Sequence, residues 1–192
     1  MSGILGALVG SYAPVATAFD SIATVTSTGA PGSTITFSNI PQTYKHLQIR
    51  YIAKDTYTGG AVNIIYMSVN STNSIYSKHN LYGNGTSVTA SAAANGSQSY
   101  ILLDYAMAQG ASTANMMAVG IIDIHDYSST NKNKTLRAIT GYDYNSSSPT
   151  GVVSLNSSNI NTTSAITSIL LGSQGDAFTS SSVFCLYGIK GS

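Results

Sequence analysis

Short runs in which apolar and polar residues alternate, each ended by a turn signal, constrain this chain more than any other feature. Thr34-Ile35-Thr36-Phe37 places Ile35 and Phe37 on one face of a strand. Pro41, which cannot donate to a ladder, ends that pattern. Leu47, Ile49, Tyr51 and Ala53 then form a second in-facing row, with Gln48, Arg50 and Ile52 opposite. Similar runs recur to the C-terminus, and no apolar stripe of helical period reaches ordinary helix length. About ten strands are predicted, at the spacing of a sandwich.

Composition points the same way. Charged residues make up 8% of the 192-residue chain, against ~25% in ordinary globular proteins. All seven acids are Asp, and Glu, a strong helix former, is absent, while there are thirteen tyrosines. The expected fold is all-β: a two-sheet antiparallel β-sandwich, jelly-roll-like, with an N-terminal extended arm. The domain reading is an apolar attachment arm over residues 1–19 and a single β-sandwich over 20–192.

Some strand boundaries are predicted in detail. Ala61 to Val69 reads as one long strand. Residues 86–98, built of small residues, read as a flexible loop or an edge. Met116 to Ile124 and Tyr100 to Leu103 are apolar on both faces, as fully buried strands are. Val152 to Leu155 reads as a strand followed by an Asn/Ser/Thr loop over 156–163. Ala165 to Leu171 reads as a further strand.

A formal net charge of +1 gives no electrostatic footprint for nucleic acid or an anionic membrane. The run Ile4-Leu5-Gly6-Ala7-Leu8-Val9 resembles the core of a signal peptide, with Ala16-Thr17-Ala18 as its cleavage site. No Lys or Arg precedes it, however, and it is shorter than the ~20 residues that span a bilayer. It is read instead as an attachment arm whose apolar contacts are Ile4, Leu5, Leu8, Val9, Tyr12, Val15 and Phe19.

Candidate chemistry is sparse. Asp123-Ile124-His125-Asp126 is the one dense ionisable cluster. In a strand, Asp123 and His125 share a face, and with Asp126 they offer two carboxylates and an imidazole to a divalent ion. The competing reading, a polar strand end capping its turn, is preferred, so neither a metal nor any other cofactor is expected. His46 and His79 read as structural or surface residues, and Cys185 as a small core hydrophobe. Tyr57, Tyr142 and Tyr144 border Gly- or Asn-rich turns and are the candidate ligand or interface aromatics.

The stretch from Ser33 to Arg50, two alternating strands joined at Pro41, together with Phe184-Cys185-Leu186-Tyr187-Gly188-Ile189-Lys190-Gly191, resembles small β-sandwich structural proteins of tailed bacteriophage virions. The resemblance implies a protein with no enzymatic step, located in the virion and assembled in the bacterial cytoplasm. It implies a homotrimer that cements or decorates the capsid, touching the major capsid protein or another virion protein, or forms a short appendage. The alternative is a receptor- or carbohydrate-binding module of a tail fibre, recognising a host-surface glycan through aromatics on loops 54–60, 83–98 and 142–150. The assembly reading expects those loops to be bland, with buried surface concentrated at the arm and the sheet edges.

Overall fold

The structure, a computed structural model, describes residues 18–58, 64–108, 115–143 and 151–191. Among these there are twelve strands and no helix. They are β1 (Phe19–Thr26), β2 (Ile35–Phe37), β3 (His46–Ala53), β4 (Ile65–Val69), β5 (Tyr76–Gly83), β6 (Val88–Gln98), β7 (Ile101–Leu103), β8 (Ala118–His125), β9 (Lys134–Tyr142), β10 (Val152–Ile160), β11 (Ile169–Ser173) and β12 (Val183–Ile189).

An eight-stranded sheet, ordered β1-β12-β3-β8-β9-β10-β5-β6, faces a four-stranded sheet, ordered β2-β11-β4-β7. Every pairing within them is antiparallel. The pairings nest: β4 with β7, β3 with β8, β2 with β11 and β1 with β12. These eight strands form two four-stranded sheets wound as a jelly roll, so the expected fold is present. Two further hairpins are inserted. One, β5–β6, lies between β4 and β7; the other, β9–β10, lies between β8 and β11. The two pair with each other through β5 and β10 and double the width of the large sheet.

Between the two sheets the interior is aliphatic and aromatic. Leu47, Ile49 and Ala53 are fully buried, as the alternation predicts, and Tyr51 is nearly so. Phe184 is fully buried between Tyr51, its ring centroid 5.2 Å away, and Phe178, at 4.8 Å. The Tyr51 hydroxyl donates to the Ala106 carbonyl at 2.7 Å, and burial pushes its pKa up. Its ring lies directly over Gly120 of β8, where any side chain would collide with it. The two segments that carry the resemblance are neighbours, since β3 and β12 pair with Phe184 opposite Tyr51.

Under the inserted hairpins the interior combines apolar side chains, among them Tyr76, Leu136, Ala138 and Ile160, with a buried polar cluster. Asn80, Thr140, Ser154, Asn156 and Ser158 all point inward and are buried. Asn156 is the hub. It accepts from the Asp104 backbone N–H at 3.1 Å and from Asn80 Nδ2 at 3.2 Å, and donates to Ser154 Oγ at 3.0 Å. Thr140 donates to the Tyr105 carbonyl at 3.1 Å, and Lys78 forms an ion pair with Asp104. Over this half Asp104 and Tyr105, just past the end of β7, present irregular backbone whose peptide groups need side-chain partners. Lys134 is likewise fully buried, donating to the carbonyls of Thr162 and Ser164 at 3.1 and 2.7 Å.

Several boundaries differ from the sequence reading. Of the two readings of residues 86–98, the edge is the one present, an eleven-residue strand over 88–98. Strand β10 continues through Asn156 to Ile160, with Asn156, Ser158 and Ile160 facing inward. Strand β4 begins only at Ile65, and the Gly59-Gly60 turn lies outside the described residues. Strand β11 begins at Ile169, since the Asn70 side chain holds the preceding chain through the N–H groups of Thr167 and Ser168.

Candidate assembly face and the predicted site residues

The large sheet's outer face inverts the usual polarity. Register aligns Ile52, Val119, Gly141, Val153, Gly83 and Val88 in one row across β3, β8, β9, β10, β5 and β6. The next row runs Arg50, Ile121, Ile139, Leu155, Leu81 and Ala90. Val88, Val153, Val119 and Ile139 are 74%, 67%, 58% and 56% exposed, and Leu81, Leu155, Ile121 and Ile52 between 39% and 46%. Together these side chains expose on the order of 700 Å² of apolar surface, above the ~300–600 Å² of a typical monomer's largest patch. The face dips into two shallow depressions, of about 420 and 330 Å³, both bordered by Leu81 and Leu155.

A polar row borders it. Gln48, Asp123, Arg137, Ser157 and His79 follow one another across the strands. At the β1 side the Arg50 guanidinium lies 5.7 Å from the ring centroids of both Phe19 and Tyr187. Phe19, assigned to the arm by the sequence reading, is paired within β1 opposite Ile189 and is 44% exposed. The other arm residues, Ile4, Leu5, Leu8, Val9, Tyr12 and Val15, lie outside the described residues, as does Tyr144.

Of the remaining tyrosine candidates, Tyr142 is 9% exposed and belongs to the core at the end of β9, so its ring is not offered to a ligand. Tyr57 is half-buried, its N–H donating to Asp55 Oδ1 at 2.8 Å. Asp55 is fully buried and also accepts from Ser173 at 2.9 Å. Burial raises its pKa, opposed by those hydrogen bonds.

Asp123 and His125 do share the outer face of β8, with Asp126 in the turn beyond at φ 51°. Their oxygens face cations of the protein itself. Asp123 accepts from Gln48 Nε2 at 2.8 Å and from Arg137 at 2.9 Å. Burial alone would raise its pKa, but these two donors hold it below the usual value. Asp126 is pulled down to about 2 by its hydrogen bonds from Lys132 and then Lys45. His46 accepts the Asp126 N–H at Nδ1, 3.0 Å away, and its ring stands edge-on to His125. Burial, followed by the neighbouring His125, lowers the His46 pKa. Among the described residues no group of three or more His, Cys, Asp or Glu side chains could hold a metal ion. Cys185 is half-buried on the outer face of β12, where the Thr24 hydroxyl approaches its sulfur at 3.5 Å.

The aliphatic face was missed because Met116 to Ile124 reads as a strand buried on both sides. Its signal was present in β10, where Val153 and Leu155 alternate with Ser154 and Asn156. No family model, no curated protein and no solved structure matches the chain.

Proposed function

We propose that this chain is a non-enzymatic structural subunit that works by assembling with copies of itself, in the virion of a tailed bacteriophage as a capsid cement or decoration protein or a short appendage. The observation that carries the assembly reading is the outward aliphatic face of β8, β9, β10, β5 and β6. The virion setting rests on the resemblance of Ser33–Arg50 and Phe184–Gly191, and the jelly-roll winding is one that capsid domains share.

The occupant of the face is a second copy. Its apolar area approaches the roughly 800 Å² that each partner contributes to a standard interface. Its aliphatic centre, with Asp123, Arg137 and His79 along one border, has the apolar core and polar rim of such interfaces. A net charge of +1 raises little repulsion between copies. The face adds a contact surface to the arm and the sheet edges, and the threefold symmetry implied by the resemblance remains part of the proposal.

Light scattering on the purified full chain tests self-association. The expected mass is a multiple of 19.9 kDa. The double variant Ile139→Ser/Leu155→Ser is expected to be a monomer with an unchanged circular dichroism spectrum, both side chains being exposed. A wild-type monomer at tens of micromolar, or a variant of the wild-type mass, overturns the reading. Mass spectrometry of separated heads and tails tests the setting: heads support decoration, tails support an appendage, and absence from both overturns the virion proposal.

A further inference from the structure

The opposite side of the sandwich, the outer face of the four-stranded sheet, carries a second surface feature. Tyr66 of β4 and Tyr100, just before β7, meet with ring centroids 4.9 Å apart and planes tilted by 50°. Tyr100 is 42% exposed. With Thr34, Ser71, Thr72 and Asn73 they line a concavity of about 290 Å³, and no charged residue borders it.

This concavity is held in shape from below and from the side. Tyr66 is paired directly with Gly172 of β11, and its ring lies over that residue, where any side chain would collide with it. Burial, and then the neighbouring Tyr100, raise the Tyr66 pKa. The adjoining loop contains three non-glycine residues in left-handed conformation: Asn70 (φ 51°), Ser71 (φ 55°) and Ser74 (φ 56°). Strained backbone of this kind persists where surroundings over-determine it and concentrates at ligand clamps. Here Asn70 is the anchor. Its Nδ2 donates to the Ala165 carbonyl at 2.8 Å, and its Oδ1 accepts from the Thr167 N–H at 2.8 Å.

We infer that the Tyr66–Tyr100 concavity is a binding site for a neutral pyranose. Tyr100, the exposed member of the pair, offers ring surface to the C–H side of a sugar, Tyr66 backs it, and the surrounding hydroxyl and amide groups offer donors and acceptors to the sugar hydroxyls. The absence of lining charge disfavours acidic sugars, whose carboxylate would lose water without gaining a cation. This site is independent of the assembly reading, because it lies on the other sheet. It also differs from the loops and from Tyr57, Tyr142 and Tyr144, to which sequence reasoning assigned any glycan.

The chain lacks tryptophan, so its emission is that of its thirteen tyrosines, two of which line the site, and the Tyr100 variants assign the response. The test is fluorescence titration and calorimetry of the full chain with methyl glucoside, methyl galactoside and N-acetylglucosamine oligomers. At least one is expected to bind saturably. Tyr100→Ala is expected to weaken that binding tenfold or more, Tyr100→Phe by no more than a few-fold, and Leu155→Ser not at all, each variant melting as the wild type does. Saturable binding by none of the three, or wild-type affinity in Tyr100→Ala, overturns the inference.

Discussion

The two halves of the large sheet follow the same alternation and fill their interiors differently. In β12, β3 and β8 the in-facing residues are Phe184, Leu186, Leu47, Ile49 and Ile122, and the interior is dry. In β10 and β5 the in-facing residues include Ser154, Asn156, Ser158 and Asn80, while Val153, Leu155 and Leu81 point outward. The difference comes from what lies opposite. A second sheet presents saturated backbone and aliphatic side chains, so burial against it favours hydrocarbon. Asp104 and Tyr105 present peptide groups that need partners, so burial against them favours amides and hydroxyls. Which face of a strand is greasy is therefore set by its neighbour.

Three changes would break or sharpen that contrast. The largest effect is expected from Phe184→Ala in the dry half. Removing a fully buried ring that packs between Tyr51 and Phe178 should cost ~3–5 kcal/mol in denaturant unfolding of the isolated chain. A loss below 1 kcal/mol would mean that the two sheets are loosely packed. Asn156→Ala should cost less, about 1–3 kcal/mol, by leaving the Asp104 N–H unpaired. Its signature is faster hydrogen exchange at Asp104 and Tyr105, with β3 and β12 unaffected. Equal acceleration throughout would dissolve the distinction between the halves.

The smallest effect concerns the turn where the halves join, between β8 and β9. Lys132 and Lys45 hold the Asp126 carboxyl at about 2, below its ordinary 3.8. A depressed carboxylate contributes stability above the unfolded value, and that stability is lost as pH falls from about 4 through about 2. Asp126→Asn should flatten this part of the stability profile, as followed by urea unfolding at pH 4 and pH 2. Identical acid losses in variant and wild type would show that these exposed lysines contribute nothing.

The jelly-roll frame was legible in the sequence because its strands bury aliphatic residues on one side and are bounded by Pro, Gly and Asn. His46–Ala53 and Val183–Ile189 show the pattern most plainly. The inserted hairpins were less legible. Asn156 and Ser158 look like loop residues, since sequence pattern equates polar with exposed, and the roof that makes them interior is supplied by Asp104 and Tyr105, some fifty positions away. The candidate assembly face was hidden for the same reason. Tyr66 and Tyr100 are far apart along the chain and become a pair only through the β4–β7 ladder and the space above Gly172.

The mutual pairing of β5 with β10 has an evolutionary corollary. Excising residues 76–98 alone would bare the flank of β10, and excising 134–160 alone would strand the other hairpin beside nothing. Joint deletion returns the eight-stranded sandwich with β8 at its margin. Since β5 joins the sheet only through β10, a lineage that gained this width acquired β9–β10 before β5–β6 or together with it.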